Sequence, residues 1–105
     1  MAGAVLISTD DALSLAGPAF RYVAEKVRGL LLEEQQYHVV RLAFEPYDTG
    51  GLDALVLIGL DGPSFCAVYR ATLQASRDLP ANEKHYVRVW EMLIEKLRRD
   101  PRIQQ

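Results

Sequence analysis

Two histidines, one cysteine and a few paired acids are the residues on which catalysis or metal binding could rest in this chain. Neither His38 nor His85 has Cys, His, Asp or Glu at a zinc-ligand spacing, and a zinc site needs three or four such ligands converging. No metal and no cofactor is therefore expected. Cys66 reacts only as a thiolate, which requires a neighbouring base or cation. The run Phe65-Cys-Ala-Val-Tyr69 surrounds it with apolar side chains instead and reads as a half-buried cysteine. His38 alternates with Val40, Leu42 and Phe44 and reads as a hydrogen-bonded histidine at a sheet margin, while His85 opens a helix and faces water. Asp10-Asp11 and Glu33-Glu34 suit the ends of helices better than acid–base work. Gly50-Gly51 and Asp61-Gly62 lack the spacing of a phosphate loop and read as turns. No catalytic residue is assigned.

Charge is unevenly placed. Residues 84–105 carry six Lys/Arg against three acids, whereas residues 1–83 carry six against eleven, within a net charge of −2. Arg88, Arg98, Arg99 and Arg102 could touch phosphate, but Glu95 and Asp100 dilute the patch, and basic residues favour helix C-termini in any case. Between Arg41 and Arg70 no cation occurs, yet Glu45, Asp48, Asp53 and Asp61 do. Phosphate binding needs clustered cations, so no nucleic-acid partner is expected. A single cysteine forms no intrachain disulfide and fits a reducing, cytoplasmic setting. The opening Met1–Ser8 has neither a basic n-region nor a full h-region, and no stretch approaches the roughly 18 apolar residues of a spanning helix, so no membrane role is expected.

The elements that must position these groups follow from periodicity. At 105 residues, 50% hydrophobic and 25% charged, the chain reads as a single α+β domain over 1–105. A short strand or apolar lead-in, Ala4–Ser8, comes first, and Ser8-Thr-Asp-Asp11 then resembles a helix N-terminus. Leu13, Ala16, Phe20, Val23, Val27, Leu30 and Leu31 predict an N-terminal amphipathic helix, kinked or restarted at Gly17-Pro18. From Tyr37 to Glu45 the apolar period becomes two, Leu52–Leu60 is apolar on both faces, and Ser64–Ala75 alternates again. These predict a three-stranded antiparallel β-meander. A C-terminal helix to about Arg99 packs on it through Tyr86, Trp90, Leu93, Ile94 and Leu97.

In that meander Ala54, Val56, Ile58 and Leu60 meet the helices, while Leu55 and Leu57 point the other way. Val39, Leu55, Leu57 and Val68 would then form an apolar centre ringed by Tyr37, Arg41, Glu45, Asp53, Arg70 and Thr72. An apolar middle with Arg and Tyr in a polar rim is how protein interfaces are made. A helix covering that side would turn it into a second core layer. Left open, the face Val39, Arg41, Leu55, Leu57, Val68 and Arg70 would bind a partner or a second copy.

A small, mildly acidic chain in which a helix precedes a meander and a second helix resembles, in outline, bacterial toxin-immunity proteins and secretion chaperones. That resemblance implies a non-enzymatic domain that occludes or carries one protein partner, a nuclease-like toxin being one instance. The acids Glu45, Asp48, Asp53 and Asp61 would face a basic surface of that partner. The alternative is a small enzyme or ligand-binding domain with a pocket between sheet and helix, using His38, Tyr69 or Cys66.

Overall fold

The computed structural model describes residues 2–103. The elements run β1 (Ala2–Ser8), β2 (Asp11–Ala16), α1 (Gly17–Glu33), α2 (Tyr37–Asp48), β3 (Ala54–Val56), α3 (Gly62–Arg77), a 3-10 segment (Ala81–Tyr86) and α4 (Val87–Arg98). The fold is mixed α+β, with four helices and a three-stranded sheet in the order β2-β1-β3. β1 and β2 are antiparallel, whereas β1 and β3 are parallel. The sheet is therefore not the expected meander. Parallel neighbours require a crossover, and α1 with α2 supply it.

Two expected strands are helices, and burial explains why. A strand over Tyr37–Glu45 would hide His38, Val40, Leu42 and Phe44 on one side. A helix instead buries Val39, Val40, Ala43 and Phe44 together and leaves Leu42 out. Pro46 is tolerated because it falls in the last turn of α2, where one missing N–H costs little of the ladder. In α3 the residues Phe65, Val68, Thr72 and Ala75 recur at helical spacing and are interior, with Ala67 and Ala71 beside them. Asp61-Gly-Pro-Ser64 is not a strand reversal but a helix start: the Asp61 carboxylate accepts from the Ser64 N–H at 2.9 Å, and Pro63 sits in the first turn.

The first expected helix divides in two. Leu13 and Ala16 belong to β2, the turn Thr9-Asp10 closes a hairpin, and the helix begins afresh at Gly17-Pro18. From there Phe20, Val23, Val27 and Leu31 are buried as the spacing predicts. Gly3 lies under this helix, and a Cβ there would stand 2.2 Å from the Phe20 ring. α1 ends on Gln35 at φ 59°, with Gln36 N–H donating back to the Leu31 carbonyl at 2.9 Å. α4 buries Trp90, Leu93 and Leu97 and exposes Arg88, Glu91, Glu95, Arg98 and Arg99, as its periodicity requires.

Two clusters hold the C-terminal third. Tyr22 donates to Glu83 at 2.8 Å, accepts from the Trp90 indole N–H at 3.1 Å and stacks on Tyr86 with ring centroids 3.9 Å apart. This pins the 3-10 segment to α1. Burial is the main reason the Tyr22 phenol is pushed up to about 12, helped by the nearby Glu83 carboxylate. At the other end Arg102 turns inward. Its Nε and Nη2 donate to Asp100, Nη1 donates to the Leu57 and Leu60 carbonyls, and Nη2 also donates to the Ile7 carbonyl, at 2.8–2.9 Å. The guanidinium lies 3.8 Å over the Phe65 ring. Every N–H of the fork has a partner. Arg102 is thus neither solvated nor free to touch phosphate, and it ties the ends of β1 and β3 to α3.

Candidate protein-binding surface

The apolar centre expected for an open sheet face is interior. Val39 lies on α2, Leu55 on β3, Leu57 just after it and Val68 on α3, each at most 3% exposed. α2 packs against β3, so Leu55 and Leu57 point into the core while Ala54 and Val56 point away. That reverses the expected sidedness of the strand. Thr72, expected in the rim, is buried and donates to the Val68 carbonyl at 2.8 Å. Arg41 and Arg70 are exposed but stand on different helices.

The sheet does keep one bare side, built from other residues. Ala4 pairs with Ser14 and Ala54, and Leu6 pairs with Ala12 and Val56, so these side chains share the side opposite the helices. None is charged. Ala12, Ser14 and Ala16 are exposed, while Leu6 and Val56 are half-buried and stand outside the core cluster.

The outer face of α2 brings together residues that the strand reading scattered. On a helix, His38, Arg41, Leu42, Glu45 and Thr49 fall on one side, flanked by Tyr37 and Asp48. Tyr37 is 56% exposed and Leu42 57%, and Leu52, whose N–H donates to the Pro46 carbonyl, is 60% exposed at the foot of the same helix. Helical numbering of residues 37–48 would have found this face. A shallow hollow of about 350 Å³ lies along it, lined by Val40, Arg41, Glu45, Asp48 and Thr49.

The four acids differ in what they already hold. Asp61 caps α3, and its bonds to Ser64 keep its carboxyl below the usual range. Asp48 faces Arg28 Nε at 3.3 Å, in a geometry too poor for a hydrogen bond. The Asp53 carbonyl accepts from the Ala4 N–H. The side chains of Glu45 and Asp53 form no ion pair among the described residues, nor do Arg41 and Arg70.

The groups that could support catalysis are differently engaged. His38 Nε2 lies 3.3 Å from Ser64 Oγ, but Asp61 contacts Ser64 through its cap, so the three do not form a relay with the carboxylate behind the imidazole. The Cys66 thiol donates to the Arg102 carbonyl at 3.6 Å, and the Tyr69 hydroxyl accepts from Arg98 at 3.5 Å. A groove of about 700 Å³ between α3 and α4 and a hollow of about 330 Å³ beside Thr9 join the one on α2. None of the three is lined by His38, Cys66 or Tyr69. Among the described residues no three His, Cys, Asp or Glu gather as a metal site, and no helix is long and apolar enough to cross a membrane.

The fold has a structural precedent. The chain is similar to a chain in the solved structure of the CdiA-CT toxin from Burkholderia pseudomallei E479 in complex with its cognate CdiI immunity protein. The TM-score is 0.87 at 19% identity, over 96% of this chain and 98% of that one. The likeness shows the fold. No family model and no curated protein sequence matches the chain.

Proposed function

We propose that this chain is a protein-binding domain of the toxin-immunity kind, which occludes one protein partner through the outer face of α2. The observation that carries this reading is that Tyr37 and Leu42, each more than half exposed, stand beside Arg41 and Glu45, whose charges meet no partner among the described residues. An apolar anchor within a ring of free charge is the composition of an interface. The fold shared with a chain of a toxin–immunity complex supports the same reading, and favours it over a secretion chaperone. The occluding side of such a pair, rather than the toxin, is supported by charge. Glu45, Asp48 and Asp53 at this end of the molecule suit a basic partner such as a nuclease, while the cation count offers little to nucleic acid itself.

The test is co-expression with a toxin from the same genomic neighbourhood. The chain should restore growth, and association should slow as salt rises. Tyr37→Ala with Leu42→Ala should weaken the complex by at least tenfold. A complex that forms equally well when Tyr37, Leu42 and Glu45 are all replaced by lysine would place the binding surface elsewhere and sink the proposal.

A further inference from the structure

The edge of the sheet offers a second surface, independent of α2. β2 has β1 on one side only, and its other side makes no backbone hydrogen bond to any segment among the described residues. Natural edge strands are usually guarded by lysine, proline, a bulge or extreme shortness, because an open row of N–H and C=O groups recruits another strand. β2 has few of these guards. It is six residues long, its register with β1 is regular from Ala12 to Ala16, and Pro18 falls beyond its end. Its one charge, Asp11, is held by Lys96 at 2.8 Å.

The sequence of this edge says what would fit it. Ala12-Leu-Ser-Leu-Ala16 reads the same in both directions. When such a strand pairs antiparallel with its own copy about Ser14, Ala12 lies opposite Ala16, Leu13 opposite Leu15 and Ser14 opposite Ser14. Directly opposed residues in an antiparallel pair share a side. The buried leucines therefore continue the core side across the junction, and the alanines and serines continue the bare side. Asp11 falls opposite Gly17, so no like charges meet. Sliding the register by two residues toward Leu13 would put Asp11 opposite Leu15 and lose this match.

We propose that the free edge of β2 pairs with the same strand of a second copy, antiparallel about Ser14, joining two three-stranded sheets into one of six strands across a two-fold axis. The occupant is a second copy rather than a foreign strand because the edge is complementary to itself in side, size and charge.

Sedimentation velocity on the full chain over a range of concentrations tests this. The chain should pass from monomer to dimer as concentration rises. Ser14→Lys should weaken dimerisation at least tenfold, since two ammonium groups would face each other at the axis, and its far-UV spectrum should be unchanged because Ser14 is exposed. Ser14→Cys should form a disulfide-linked dimer on mild oxidation, faster than Ala2→Cys, since the opposed Cβ atoms would be about 4.5–5.5 Å apart. A native chain that stays monomeric at millimolar concentration overturns the proposal, as does a dimer indifferent to Ser14→Lys. So does a chain that is monomeric alone yet needs Ser14 to hold a different protein.

Discussion

The corner around Arg102 and the outer face of α2 both set charge beside apolar side chains, and they use it in opposite ways. At the corner the charge is consumed within the fold: Arg102 has every N–H engaged, Asp100 is 7% exposed, and the pair sits on the Phe65 ring. On α2, Arg41 and Glu45 face water beside Leu42 and Tyr37, and neither forms an ion pair among the described residues. A buried ion pair whose loss would strand a charge is a structural device. Exposed charge around exposed apolar surface contributes almost nothing to the fold and remains available to another molecule.

The contrast is broken most severely at the corner. Arg102→Ala should cost about 3–5 kcal/mol, because Asp100 and three backbone carbonyls lose their donors in the interior. Denaturant unfolding followed by the fluorescence of the buried Trp90 reads this directly. Arg102→Lys should recover little of it, since a point charge does not reproduce a planar fork. Tyr22→Phe should cost about 1–2 kcal/mol by leaving the Trp90 N–H and Glu83 without their shared hydroxyl.

Two pH effects follow from the same groups. Bonds to Arg102 hold the Asp100 carboxyl below the usual carboxylate range. Its stabilisation is therefore complete above the unfolded value of about 3.9 and is lost as pH falls through the lower folded value. Asp100→Asn should flatten the fall in thermal midpoint on the acid side. The Tyr22 phenol is raised instead, so its contribution is complete below pH 10 and is lost as pH climbs toward about 12. That alkaline slope should diminish in Tyr22→Phe. The smallest effect belongs to α2: Glu45→Lys should change stability by no more than about 0.5 kcal/mol while slowing association with a basic partner. A large loss of stability there would erase the distinction between the two regions.

Parts of this molecule were legible in the sequence because only one periodicity fitted them. In α4 the spacing of Trp90, Leu93 and Leu97 has no strand reading, and Glu95–Arg99 meet at 3.2 Å as their spacing predicts. α2 and α3 are apolar enough to satisfy periods of both two and 3.6, and the choice falls to whichever buries more once other elements are present. The cap signal Asp61-Gly-Pro-Ser64 was available to decide α3, but Gly-Pro reads equally as a turn. β2 was hidden because Leu13 and Ala16 extend the helical spacing of α1 backwards. On the outer face of α2, the charges of Arg41, Glu45 and Asp48 are plain in the sequence, while the period of two assigns Leu42 inward with Phe44. The role of Arg102 had no local signature at all. Its partners include carbonyl oxygens of Ile7, Leu57 and Leu60, which any residue could have supplied.

The bond from Arg102 to Ile7 joins positions 95 residues apart. During synthesis the first hairpin leaves the ribosome long before residue 102 exists, so the carbonyls it will receive must wait, hydrated, for nearly the whole chain. Closing so long a loop is slow and comes late. A product cut short of Arg102 would carry all its strands and helices and yet lack the fastening across them, so its thermal midpoint should fall well below that of the full chain.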